Sequence, residues 1–166
     1  RNSARQREAL EAQLQRPECA AALPDWLLQQ LRRDWPQQWA TIAAANNQHP
    51  PMTLRVNVQQ GSVADYLALL EASGIAAQPH PQAPHALMLE HACDVQQLPQ
   101  FAQGRVSVQD AAAQFAPSLL DLQPGQRVLD ACAAPGGKTG HILETQPHLA
   151  QLVALDHDQS RLQRVQ

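Results

Sequence analysis

From Asp130 to Thr139 the chain reads Asp-Ala-Cys-Ala-Ala-Pro-Gly-Gly-Lys-Thr, an acid, a thiol, an ammonium and a hydroxyl set among residues with little or no side chain. Small residues at Ala131, Ala133, Ala134, Gly136 and Gly137 let a ligand approach the backbone, and the N–H groups that open a helix favour a negatively charged group. The chemistry such a stretch supports is the holding of a nucleotide-like cofactor. Pro135 has no N–H, so Gly136, Gly137 and Lys138 are the better donors to an anion. Lys138 is the only lysine of the chain; its ammonium can add attraction or point to solvent.

A loop of this kind needs a strand before it and a helix after it. Gln126 to Leu129 reads as a short apolar strand, and Gly140 to Glu144 has the spacing of a helix that buries Ile142 and Leu143. Leu152 to Leu155 is a continuous apolar run ending in Asp156, as expected of a parallel strand covered on both faces. Asp156 stands 20 residues after Gly136, the spacing at which doubly wound folds set an acid on ribose hydroxyls, while Asp158 suits the cap of the next helix. Two familiar phosphate loops fit poorly. The Walker A ending is present in Gly137-Lys138-Thr139, but Cys132 occupies the place of its first glycine, and Gly-x-Gly-x-x-Gly is absent. What remains is an acid ending a strand, with Asp130, Cys132, Ala134 and Gly136 at the alternate positions where methyltransferases usually carry glycines.

Asp-x-Cys-Ala-Ala-Pro-Gly-Gly-Lys-Thr, followed by His141-Ile142-Leu143-Glu144, resembles the S-adenosylmethionine loop of the RNA (cytosine-5)-methyltransferases, and more narrowly of their bacterial branch acting on small-subunit ribosomal RNA. Ala45-Asn46-Asn47 with Pro50 to Asn57, and Val106 to Ala111, extend the resemblance over most of residues 24 to 166. It implies S-adenosyl-L-methionine as cofactor, held by Cys132, Ala133, Ala134, Pro135, Gly136, Gly137, Lys138 and Asp156, with Asp130 orienting the loop or the cofactor's amino group. It implies small-subunit ribosomal RNA as partner, methylation of a cytosine at carbon 5, and a monomer in the full-length form. A transfer RNA substrate is the alternative within the family; a non-catalytic RNA-binding module that kept the loop is the alternative outside it.

In that family a thiolate from a Thr-Cys motif adds to carbon 6 of cytosine so that carbon 5 can attack the sulfonium methyl group, and a second cysteine, in a Pro-Cys motif, helps release the product. Neither motif occurs here: Cys19 follows Glu18, Cys93 follows Ala92 and Cys132 follows Ala131. No catalytic residue is therefore expected in this chain; the thiols are expected beyond Gln166, and the family pattern makes Cys132 part of the loop. The chain is expected to be a fragment cut at both ends, with the first two of seven methyltransferase strands.

Length and charge agree with that frame. A chain of 166 residues can bury one good core or two small ones, and a net charge of −3 confines any nucleic-acid contact to a local basic patch. Three cysteines without Cys-x-x-Cys spacing suggest a reducing compartment, and with no apolar run of membrane-spanning length or signal peptide the cytoplasm is the default. The spacing of His80, His85 and His91 matches no metal site, so neither metal nor membrane is expected.

The rest of the chain divides into three. Residues 1–49 read as a helical segment, which the resemblance implies is the tail of the family's N-terminal RNA-binding domain plus its linker. One helix is capped by Ser3 and Gln6 with Leu10 and Leu14 on one stripe, a second from Asp25 buries Leu27, Leu28, Leu31 and Trp35, and a third starts at Pro36. Arg32 and Arg33 could touch RNA phosphates, though paired arginines on a helix are more often a solvated face. Residues 50–109 read as a small α+β subdomain, ferredoxin-like or RNA-recognition-like. In its first strand Met52, Leu54, Val56 and Val58 face one way and Thr53, Arg55 and Asn57 the other, which offers Arg55 and Asn57 as an RNA or interdomain pair. A helix capped by Ser62 and Asp65 follows, with Gly74 at its end. Residues 110–166 open the catalytic domain, with a helix capped by Asp110 that ends or kinks at Pro117. The fold class is α/β: the start of a Rossmann-like methyltransferase sheet behind an α+β subdomain and a helical segment.

Overall fold

The computed structural model describes residues 22–165 together with Arg7, Ala9 and Glu11. The helix expected around Ser3, Gln6, Leu10 and Leu14 lies outside the described residues. The chain forms two compact units, residues 1–50 and 51–166.

In the first unit, α1 (Asp25–Asp34) and α2 (Trp39–Asn46) bury Leu28 and Ala43, with Leu23 and Trp39 packed against them. Trp35, expected on the buried stripe, is 53% exposed. The reason is local: it is the C-cap of α1, with φ −133° and ψ 59°, and the helical periodicity that would carry its ring inward stops one residue earlier. Helix α2, expected to start at Pro36, starts at Trp39, after a turn. The guanidinium of Arg32 lies over the Trp39 ring at 4.3 Å, and Arg33 pairs with Asp34 at 3.2 Å on the exposed side.

The second unit opens with a four-stranded antiparallel sheet of order β2-β3-β1-β4, built from β1 (Thr53–Val56), β2 (Ala77–Pro79), β3 (Ala86–Leu89) and β4 (Val106–Val108). Alternation along β1 sends Leu54 and Val56 to a core with Tyr66 and Leu70 of α3 (Val63–Ala72) and with Leu87, Leu89, Leu98 and Val106. The Tyr66 hydroxyl donates to the Pro99 carbonyl at 2.8 Å, and burial pushes its pKa up to about 12. Helix α3 begins in the expected capping box: Ser62 Oγ accepts from the Asp65 amide, and Asp65 accepts from the Ser62 amide. It ends at Gly74, whose φ of +73° permits a Schellman closure, with the Ile75 amide on the Leu70 carbonyl at 2.9 Å and the Gly74 amide on that of Glu71 at 3.0 Å.

At Pro117 the chain changes helix type. A 3-10 turn spans Ala112–Phe115, its start tied by the Ala112 amide to Asp110 Oδ1 at 2.8 Å, and α4 (Ala116–Leu119) follows with Pro117 in its first turn, where a missing N–H is tolerated. Then β5 (Arg127–Asp130), α5 (Gly137–Thr145) and β6 (Gln151–Ala154) form a strand-helix-strand unit with the two strands parallel, and α6 (Gln159–Leu162) follows. These are the first two strands of a Rossmann-like sheet. On α5 the buried residues are Thr139, His141 and Ile142, while Leu143, expected inside, is 48% exposed. Ile142 sets the inner face, and the next position falls about 100° round the helix.

Candidate cofactor site

Because β5 and β6 run parallel with Asp130 opposite Ala154, both strands deliver their C-terminal ends to one edge, where the loop 131–136 lies. Asp130 stands at its root. Its Oδ2 accepts the Thr139 hydroxyl at 2.7 Å and its Oδ1 the Cys132 amide at 3.4 Å, so the carboxylate ties the start of the loop to the first turn of α5. The sequence offered Thr139 only as the end of a motif; its hydroxyl is the partner that makes Asp130 a loop organiser.

The loop is held from the β6 side as well. The Ala133 amide donates to the Leu155 carbonyl at 2.9 Å, and the Ala134 amide to Asp156 Oδ2 at 2.9 Å. Asp156 Oδ1 accepts the Asp158 amide at 3.0 Å, and these two backbone amides hold the carboxyl below its usual range. Its side chain has no exposed surface, with His157 Nδ1 at 3.3 Å. In this conformation Asp156 therefore braces the loop, and ribose hydroxyls reach it only if the covering residues move. The segment after β6 touches the loop as well: Arg161 Nη2 donates to the Ala134 carbonyl at 3.2 Å, and a Cβ on Gly136 would meet Val165 Cα at 3.3 Å. Asp158 is the cap of α6, accepting the Ser160 and Arg161 amides.

Gly136 is the N-cap of α5 with φ +101°, a conformation that favours glycine. Its N–H is taken by the Ala133 carbonyl at 2.7 Å, so Gly136 is not among the available donors, contrary to expectation. Gly140 is the first residue to bond back into the helix, to Gly136 at 2.8 Å, which leaves the N–H groups of Gly137, Lys138 and Thr139 as those that a helix start cannot satisfy internally. Gly137 and Lys138 are exposed, as are Cys132 and Pro135, whereas Ala133 and Ala134 are buried and serve as packing. The loop thus presents small side chains and a helix start, and those groups fit the carboxylate or other anionic end of a nucleotide-like ligand. Among the described residues no group of three or more His, Cys, Asp and Glu could hold a metal.

Of the RNA or interdomain roles expected for Arg55 and Asn57, the exposed RNA pair requires correction, while Arg55 takes the other place, reaching from β1 to α5. Arg55 is 2% exposed and forms a two-point ion pair with Glu144 of α5 at 2.7 and 2.9 Å. The face of β1 opposite the apolar core is covered, so a side chain that alternation placed outward is inside. Asn57 shapes a turn instead: its Nδ2 donates to the Gly104 carbonyl at 3.1 Å and its Oδ1 accepts the Gln59 amide at 3.1 Å. Glu144, Gln109 and His141 were not anticipated, because their partners lie far away in the chain.

The comparisons with known proteins follow the same division. The ferredoxin-like domain of the RsmF/B-like methyltransferases matches residues 23–96, and the family described as 16S rRNA methyltransferase RsmB/F matches residues 117–166. The ribosomal RNA small subunit methyltransferase B of Vibrio cholerae is 53% identical over 166 residues, which is 99% of this chain and 38% of that protein. The crystal structure of PH0851 superposes with a TM-score of 0.80 at 27% identity, over 87% of this chain and 33% of that one. That of a methyltransferase homolog protein from Pyrococcus horikoshii does so with a TM-score of 0.71 at 29% identity, over 86% and 52%. The chain therefore spans well under half the length of the curated relatives it matches. Its ferredoxin-like and methyltransferase parts both match models of the same group, and about half its residues are shared with such a relative, so the chain is similar to a part of the 16S rRNA methyltransferases RsmB/F.

Proposed function

We propose that this chain supplies the cofactor-binding part of an S-adenosylmethionine-dependent enzyme that methylates carbon 5 of a cytosine in small-subunit ribosomal RNA. The observation that carries the reading is the loop 131–136 at the shared C-terminal edge of two parallel strands, with Asp130 at its root and Asp156 beside it, the edge at which doubly wound sheets bind ligands. S-adenosylmethionine supplies an electrophilic methyl group on sulfur. The chain's own groups bind and orient it: the N–H groups of Gly137 and Lys138 face its carboxylate, Cys132, Ala133, Ala134, Pro135 and Gly136 shape the loop around its methionine end, and Asp130 fixes the loop. Asp156 would accept the ribose hydroxyls, each carboxylate oxygen having a second lone pair beside the amide it now accepts.

The nucleophilic thiol is no part of this assignment, because none of the three cysteines sits in a Thr-Cys or Pro-Cys pair. Residues 1–49 are read as the end of an RNA-binding domain with its linker, 50–109 as the subdomain beside the catalytic domain and 110–166 as the start of that domain. The name of the Vibrio cholerae relative supports ribosomal RNA as the substrate.

The test is transfer of labelled methyl from S-adenosylmethionine to unmodified small-subunit ribosomal RNA by the natural gene product, with Asp156→Ala alongside. The expected result is label at carbon 5 of a single cytosine, abolished or greatly reduced in the variant. Label on transfer RNA alone would replace the substrate. Cofactor binding without label on either RNA would replace the enzyme by a non-catalytic RNA-binding module.

A further inference from the structure

Arg55 lies in β1, the strand flanked on both sides within its sheet, and a guanidinium there stays charged, so burial requires partners for all five of its N–H groups. Every nitrogen is engaged. Nε and Nη2 donate to the two oxygens of Glu144 at 2.9 and 2.7 Å, and Nη2 also reaches Ser107 Oγ at 3.4 Å. Nη1 donates to Gln109 Oε1 at 2.6 Å and to the main-chain carbonyl of Gly137 at 2.7 Å, and Gln109 Nε2 donates to that same carbonyl at 3.3 Å. Gly137 is the first residue of α5 and Glu144 the last but one. One side chain of the ferredoxin-like sheet therefore grips the helix behind the loop in both its first and its last turn.

The atom held in the first turn matters chemically. The Gly137 carbonyl belongs to the peptide unit whose N–H is that of Lys138, one of the two N–H groups assigned to the cofactor's carboxylate. Two donors on the carbonyl, one of them cationic, fix the plane of that peptide and polarise it, which directs its N–H outward and strengthens it as a donor to an anion.

We propose that Arg55, seconded by Gln109 and Glu144, is a positioning residue for the cofactor: it sets the Lys138 amide, and with it the start of α5, from the neighbouring subdomain. The inference rests on the loop being the S-adenosylmethionine site.

The experiment measures the dissociation constant of labelled S-adenosylmethionine by equilibrium dialysis, without RNA, for the natural gene product and three variants. Arg55→Lys keeps the charge but cannot reach Glu144 and Gly137 together. Arg55→Met with Glu144→Met removes both charges and so leaves neither buried alone. Glu144→Gln keeps an acceptor in place. The expected result is a loss of about tenfold or more in cofactor affinity for the first two and a smaller loss for the third. Expected alongside are a wild-type melting temperature for the double variant, a raised KM for the cofactor with kcat retained at saturation, and unchanged affinity for ribosomal RNA. Unaltered cofactor affinity in a double variant that melts like the wild type overturns the proposal. A loss of RNA affinity with cofactor affinity intact also overturns it, in favour of direct RNA contact. Failure of the wild-type protein to bind the cofactor would strike the proposed function itself, and the positioning role with it.

Discussion

His141 shows how a single buried ring ties this unit to pH. It is 5% exposed, stands edge-on to His85 with ring centroids 6.3 Å apart, and its Nδ1 has no hydrogen-bond partner. Burial, then the Arg55 guanidinium, then His85 push its pKa down from 6.5 to about 4. The charged form is thus worse off in the folded chain than in the unfolded one. Stability is complete above the unfolded value near 6.5 and is lost as pH falls from there through about 4. Arg55 is itself paired with Glu144 at 2.7 Å. We expect the unfolding free energy to fall by at most about 3 kcal/mol between pH 6.5 and 4. In His141→Phe, whose ring can use the adjoining cavity of about 60 Å³ lined by Ala83, His85, Gln114 and Phe115, that slope should flatten. Urea unfolding at several pH values measures it; an unchanged slope in the variant would assign the effect elsewhere.

Among the elements, α3 is the one the sequence determines most fully, because both of its ends are closed by neighbours in the chain. Ser62→Ala removes the oxygen that accepts the Asp65 amide and should destabilise the unit by about 1 kcal/mol. Gly74→Ala has open space around its new methyl group but must hold φ +73°, so it should cost about 1 kcal/mol through backbone strain alone. Thermal melts of the two variants and of their combination, expected to be near-additive, check both. The same distinction explains what was legible in the sequence. Capping box, C-terminal glycine, strand alternation at Leu54 and Val56, and the Asp158 cap all depend on residues a few positions apart. Arg55 depends on Glu144, 89 residues away, and no local pattern announces that the outward face of β1 will be covered. Likewise, the bond from the Ala134 amide to Asp156 joins groups 22 residues apart, and the loss of the Gly136 donor comes from a tight turn to Ala133. Motif and family could be read from the string; which of the motif's groups are available to a ligand needed the tertiary contacts.

At the scale of the whole chain, the two halves of the second unit differ in how far they close on themselves. The ferredoxin-like sheet buries Leu54, Tyr66, Leu70 and Leu87 completely, whereas β5 and β6 make a sheet of only two parallel strands. Parallel strands are normally covered on both faces, and two of them are a marginal sheet. Here Leu129 is 59% and Leu155 52% exposed, and Leu119 and Leu120 are 82% and 50% exposed. Apolar surface of this kind, next to unpaired strand edges, favours contact with another chain. We therefore expect these 166 residues by themselves to self-associate at concentrations on the order of tens of micromolar, with sedimentation velocity showing species larger than the 18.2 kDa monomer. Leu129→Ser with Leu155→Ser should shift that distribution towards the monomer, since both side chains sit on the open part of the sheet and neither belongs to the closed core. A single monomeric species with a cooperative, high-temperature melt at all concentrations would show instead that two parallel strands, one covering helix and the brace from Arg55 suffice to complete the fold.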